Sequence, residues 1–285
     1  YIQTGSVRNQ GIELALNFEN TWRNFTWMSG LTYSMNKNKI ESLADNVINP
    51  ITGQLFSIPS LDMGGYADLR FILREGGSMG DLYSRTDLRR DANGAIYMDE
   101  SNNVYTQKID NPDSYIKLGS VLPKGNLAWR NNFMWKNFHV GFMISARLGG
   151  VVFSRTQAIL DKFGVSEASA DARDNGFVLI NGNDRVNPEN WYTTVGSTAV
   201  PQYYTYSATN VRLQEASIGY TIPRKWLANV CDIKVSLIGR NLWMIYNKAP
   251  FDPEAVASTD NFYQGIDNFM MPSLRNVGFS LNFKF

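Results

Sequence analysis

The sequence predicts an all-β fold, built as an antiparallel transmembrane β-barrel. Three observations carry that reading. First, Val277, Phe279, Leu281, Phe283 and Phe285 alternate without a break with Asn276, Gly278, Ser280, Asn282 and Lys284. Strand side chains point to opposite faces with period two, so this segment has one apolar and one polar face. About ten residues suffice to cross a bilayer as a tilted strand. Second, the same pattern recurs along the chain between alternating short turns and long connections, the arrangement of outer-membrane barrels. Third, an unpaired apolar edge strand invites aggregation in water, whereas a closed barrel in lipid has no edge.

The elements follow in order. Ile12, Leu14, Leu16 and Phe18 alternate with Glu13, Ala15, Asn17 and Glu19, and a turn near Thr21–Asn24 leads to Phe25, Trp27, Leu31, Tyr33 and Met35. Leu127, Trp129, Phe133 and Trp135 oppose Asn126, Arg130, Asn132 and Lys136. A tight Lys136-Asn137 turn then opens a second arm, in which Phe138, Val140, Phe142, Ile144, Ala146 and Leu148 oppose His139, Ser145 and Arg147. Ala216, Ile218, Tyr220 and Ile222 form the next apolar row, and Ile233, Val235 and Leu237 the one after it. Leu82 to Met98 reads as a strand with an extracellular extension, turning at Asp91-Ala92-Asn93-Gly94. The total is roughly eight to ten spanning strands, a number that can close a small barrel. Lys37–Tyr66, Ser154–Asn210 and Lys248–Pro272 read as long polar connections, which in compact domains are functional or disordered. Tyr and Trp gather near strand ends, where amphipathic rings suit membrane interfaces.

Composition narrows the function classes. The 285 residues are 44% hydrophobic and 19% charged with a net charge of +1, and a nucleic-acid surface needs a basic excess that is missing here. No apolar run reaches the roughly eighteen residues of a helical membrane span. The mean hydropathy of -0.27 fits a barrel, whose apolar residues are averaged out by alternation. The lone Cys231 makes no internal disulfide, and the lone His139 supports no triad or histidine metal site. The chain opens Tyr1-Ile2-Gln3 with no signal peptide, which reads as a mature piece or fragment of an exported protein.

Several stretches resemble, in order and spacing, the C-terminal part of the SusC/RagA family of TonB-dependent outer-membrane transporters of Bacteroidetes. They are Gly5-Ser6-Val7-Arg8-Asn9-Gln10-Gly11-Ile12-Glu13-Leu14, Pro123-Lys124-Gly125-Asn126, Val211-Arg212-Leu213-Gln214-Glu215-Ala216-Ser217-Ile218-Gly219-Tyr220, Gly239-Arg240-Asn241-Leu242, Asp252-Pro253-Glu254 and Phe283-Lys284-Phe285. The resemblance implies a barrel of about 22 strands with a plugged lumen. Residues 1–285 would supply fewer than half of those strands, without the plug domain and the TonB-contacting segment. It also implies import of oligosaccharides, or alternatively peptides, across a Gram-negative outer membrane. A SusD-like surface lipoprotein would cover the extracellular loops, in a SusC2SusD2-type assembly driven through TonB. A soluble all-β carbohydrate-binding module is the alternative outside the family. It requires Phe279, Leu281 and Phe283 to be buried by a second sheet.

Candidate sites follow from this frame. Trp191, Tyr192, Tyr203, Tyr204, Tyr206, Phe262 and Tyr263 are loop aromatics that can stack on sugar faces or meet a partner protein. The competing reading is that they pack the loops together. Arg130, Asn132, Arg147, Glu215, Lys234 and Arg240 are candidates to line the lumen, either facing plug and substrate or simply wetting the interior. Phe279, Leu281, Phe283 and Phe285 resemble the terminal signal read by the outer-membrane insertion machinery. Asp171–Asn190 lacks the spacing of a calcium loop. Asp252 and Glu254, two apart beside a proline, offer no controlled separation across a glycosidic bond. No catalytic residue, metal site or cofactor is expected.

Overall fold

The computed structural model describes residues 5–196, 200–228, 230–260 and 263–285. Seven long strands make one antiparallel wall: β1 (Ser6–Trp22), β2 (Phe25–Ser42), β3 (Gly125–Trp135), β4 (Phe138–Leu148), β5 (Asn210–Ile222), β6 (Asp232–Asn247) and β7 (Asn276–Lys284). They lie side by side in chain order. The wall therefore has fewer strands than the eight to ten expected. Among the described residues β1 and β7 pair on one side only, so this segment does not close a ring by itself. Leu82–Met98 is also corrected. Its Asp91–Gly94 turn forms as expected, with an Asp91 N–H bond to Ala95 O of 2.9 Å, but Asp81–Ser84 joins a separate sheet and adds nothing to the wall.

Cross-strand register makes each face uniform. One lateral row runs Leu16, Leu31, Trp129, Ile144, Leu213 and Trp243. Nearer the short turns a second row runs Trp22, Phe25, Trp135, Phe138 and Tyr220, an aromatic band. Trp22 stacks on Phe25 and Trp135 on Phe138, with ring centroids 6.0 and 6.3 Å apart, suiting a membrane interface. Phe279 and Phe283 are 77% and 53% exposed. Among the described residues no second sheet covers them, contrary to what the soluble-module alternative requires. Polar residues interrupt the apolar face at Asn20, Ser29 and Asn131; Asn131 is buried, its Oδ1 accepting a bond of 3.0 Å from Trp27 Nε1.

All short connections lie at one rim. Arg23 and Lys136 take left-handed backbone angles in the two tightest turns, and the turns are stitched laterally by Lys136 N–H to Asn24 O (2.9 Å) and Thr221 N–H to Asn137 O (2.8 Å). Every long connection, 43–124, 149–209 and 248–275, leaves the opposite rim. These connections are not loose loops. They fold together into a cap with a shared core of Leu69, Phe71, Leu82 and Val121 from the first, Phe153, Trp191 and Tyr204 from the second, and Ile266 from the third. Burying each large side chain of this kind contributes about 1.5–3 kcal/mol, which is what holds the connections together.

Within the cap, Ser60–Tyr66, Leu69–Arg74, Asp81–Ser84 and Ile116–Ser120 form a four-stranded sheet. A three-stranded sheet of Thr205–Ser207, Val151–Ser154 and Ile266–Asp267 ties the second connection to the third. Among the described residues three α-helices depart from the all-β expectation: α1 (Arg155–Lys162), α2 (Glu167–Asn175) and α3 (Pro188–Val195). Each starts at a capping side chain: Ser154 accepts from Gln157 N–H, Ser166 from Ser169 N–H, and Asn187 from the Glu189 and Asn190 N–H groups. Such caps satisfy helix-end donors that have no intrahelical partner. The connections cross at two glycines. A Cβ on Gly119 (φ 142) would lie 2.8 Å from Val151, and one on Gly265 (φ 70) 2.7 Å from Val121, so both close approach and backbone angle demand glycine.

Candidate functional site: the polar face beneath the cap

The wall's second face is polar by the same register. Arg130, Asn132, Arg147, Glu215, Lys234 and Arg240 all fall on it, in rows such as Arg130–Met143–Glu215–Arg240. Arg240 Nε lies 3.1 Å from Glu215 Oε2, an exposed pair. His139 shares this face and meets Thr221 Oγ1 at 2.9 Å. Cys231 is a buried free thiol just before β6.

A concavity of about 540 Å³ lies on this face under the cap. Two register rows build its floor: Glu13–Ser34–Asn126–Arg147 and Ala15–Thr32–Ala128–Ser145. Glu254 of the third connection completes the lining. Arg147 donates from Nη2 to Val121 O at 2.7 Å, tying the wall to the end of the first connection.

Beside the concavity sits an anchor that periodicity did not reveal. At Gln214 one extra residue enters β5, so that Met143 pairs with Glu215 but Ile144 pairs with Leu213. This bulge switches the parity of the strand. Leu213 and Val211 join the apolar face, and Arg212 and Asn210 turn to the polar one. Arg212 is buried, forms a two-point pair with Asp252 and reaches Glu254 Oε2 at 3.4 Å, while its Nε donates to Asn210 Oδ1 at 3.0 Å. Burial pushes the Asp252 carboxyl up, but hydrogen bonds from Arg212, Ser273 and the Glu254 N–H outweigh it and hold the group down at about 2. The third connection is thus clamped onto β5 through a charge pair shielded from water. Its members lie forty residues apart in sequence, and the only local signal is the break in alternation around Arg212.

The loop aromatics are placed in the cap, and none of the described ones lines the concavity. Trp191 and Tyr204 are 8% and 2% exposed in the cap core, so their faces are occupied by packing. Trp191 meets Tyr203 edge-on at 5.4 Å, and Tyr206 meets Phe251 at 5.8 Å. Tyr204 donates to Asp161 Oδ2 at 3.1 Å, and Tyr192 to Ala168 O at 3.0 Å. Burial, then the nearby Asp161 charge, pushes the Tyr204 phenol far up and that of Tyr206 up to about 12, so both stay protonated donors. Tyr203 and Tyr263 keep substantial exposed surface. Phe262 lies outside the described residues. Among the described residues no three His, Cys, Asp or Glu side chains gather into a metal site.

Comparisons with known proteins agree with this architecture. No family model matches the chain. Over 99% of its length it is 26% identical to TonB-dependent receptor P3 of Formosa agariphila and likewise 26% identical to TonB-dependent receptor P26 of the same organism. It spans 29% of each of those relatives. The RagAB peptide transporter superposes over 99% of this chain and 30% of that one, with a TM-score of 0.63 at 16% identity. The RagAB peptide importer in its closed-closed state does so with a TM-score of 0.61 at 18% identity. The fold is that of part of a transporter barrel, and the resemblance to SusC/RagA-type TonB-dependent transporters extends over nearly the whole chain.

Proposed function

We propose, from that resemblance, that this chain is the C-terminal wall and extracellular cap of an importer that brings nutrient solutes through the outer membrane with energy relayed by TonB. The observation that carries the reading is the uniformity of the two faces. Lateral rows of Leu, Ile, Phe and Trp meet lipid on one side, while the opposite side offers a polar concavity under a folded lid of connections. Such a surface binds and conducts solute and needs no covalent chemistry. The cargo proposed is an oligosaccharide, with the exposed rings of Tyr203 and Tyr263 available to stack on sugar faces. Peptide cargo is the second reading, favoured by the likeness to a protein described as a peptide transporter. A SusD-like lipoprotein seated on the cap would complete the entry path, in a paired assembly.

Uptake of labelled oligosaccharides and peptides by cells carrying the complete protein tests this. Uptake is expected to vanish when TonB is removed. Equal accumulation with and without TonB would defeat the reading. The terminal strand is proposed to be the assembly signal, and removal of Phe283 to Phe285 is expected to lower outer-membrane abundance sharply. Unchanged abundance would refute that role.

A further inference from the structure

Two arginines lie on the polar rows beneath the cap, and they differ in one respect. Arg212 has Asp252, Glu254, Asn210 and Asn241 around its guanidinium. Among the described residues Arg147 makes a single hydrogen bond, from Nη2 to Val121 O. It has no ion pair among the described residues, and its Nε is sealed from solvent without an acceptor. A guanidinium carries five N–H donors in a planar fork. One N–H is thereby left unanswered out of water, while the Nη1 end stays open to an acceptor from the concavity.

We propose that Arg147 is the specificity residue of the concavity and that it recognises a carboxylate carried by the cargo. The inference rests on the import reading above. Glu254 lines the same concavity, but its carboxylate is already engaged, Oε1 by Asn210 at 3.3 Å and Oε2 by Arg212 at 3.4 Å. It therefore attracts Arg147 at a distance without occupying the fork. Ser34, Asn126 and Ser145 surround the approach with neutral hydrogen-bonding groups. Glu13 stands three strands away in the same row, roughly 14 Å at the usual ~4.8 Å strand spacing. It repels a carboxylate, so an acidic cargo enters with its charge directed at Arg147. A planar fork suits a carboxylate in a way that a point charge does not.

A carboxylate can come from a peptide terminus or from an acidic sugar, and paired probes separate the sources. Calorimetric titration of the purified complete protein would use a pentapeptide against its C-terminally amidated twin, and trigalacturonate against its methyl ester. The acidic member of at least one pair is expected to bind roughly tenfold or more tightly than its twin. Arg147→Gln is expected to erase that difference, the acidic member losing affinity down to that of its neutral twin. Arg147→Lys, which keeps a donor for Val121 O and the charge but not the fork, should retain part of it. A preference that survives in Arg147→Gln overturns the proposal. So does an equal loss for both members of a pair, the result of a purely structural role or of contact with another part of the protein. Neutral twins bound without any acid preference in the unaltered protein sink the inference and leave the import reading standing. Failure of all four probes to bind sinks both.

Discussion

The wall and the cap draw on the same residue types and arrange them inside out. In the wall, Leu16, Ile218, Leu237 and Phe279 face outward, exposed, while charge and amide groups are gathered inside. In the cap, Phe71, Leu82 and Phe153 are sealed in the centre, and polar groups enclosed with them, such as Asp81 and Asp161, are paired. The difference is one of solvent. A lipid-facing strand gains nothing by hiding a leucine and loses by exposing a charge. A water-facing domain obeys the reverse rule. The boundary between the two regimes runs where Arg147, Arg212 and the Asp252-Pro253-Glu254 segment meet, and this is also where the concavity opens.

The strongest test of the contrast is in the cap. Phe153→Ala empties a fully buried position and is expected to cost about 3–5 kcal/mol. Limited proteolysis should then cut the three connections while the wall stays protease-resistant. Cleavage spread equally over wall and cap would show that the two are not separate solvent regimes. Next in size is a neighbouring pair on β5. Ile218→Lys puts a charge into lipid one row in from the aromatic band, where the expected cost lies between about 1 kcal/mol at the interface and about 2–4 kcal/mol at mid-membrane. Ser217→Lys, one residue earlier on the opposite face, should change stability by no more than about 0.5 kcal/mol. Denaturant titration in lipid vesicles measures both, and equal costs would contradict the assignment of faces.

Acid provides a third test. The folded carboxyl of Asp252, at about 2, lies below its ordinary value of 3.8, so folding favours the ionised form. The contribution is complete above about pH 4 and is lost as pH falls through about 2, a total of about 2 kcal/mol. Asp252→Asn should flatten that part of the stability profile. An unaltered profile in the variant would mean that another group sets the acid limb. The smallest effect is expected at the solvated Glu215–Arg240 pair, where Glu215→Gln should cost below about 1 kcal/mol. A larger loss in the same titration would show that the polar face is drier than its exposure indicates.

Legibility from sequence follows the same boundary. The wall could be read because period two is local and lipid enforces it over whole strands: Phe138–Leu148 and Val277–Phe283 needed no tertiary information. It stopped being readable where a single inserted residue, Gln214, reversed the parity and hid Arg212, and where Asn131 was spared by its bond to Trp27. The cap was nearly opaque. Its core joins positions as far apart as Leu69 and Ile266, and no periodicity links them. Its helices did leave traces, in Ser154-Arg155-Thr156-Gln157 and Asn187-Pro188-Glu189, which match the capping box and the proline-led start. The loop aromatics illustrate the limit: Trp191 and Tyr203 touch across the second connection, yet one is buried and the other partly exposed.

The glycine crossings at Val121 and Val151 bear on how such a molecule is inherited and altered. Because Gly119 and Gly265 mesh with the flanks of other connections, no single loop can be transplanted from a relative without disturbing its neighbours. New cargo preferences would then spread by exchange of all three segments together, or by point changes on the strand floor that leave the interlock alone. Chimaeras carrying one foreign loop should assemble poorly, and those carrying the matched trio should recover.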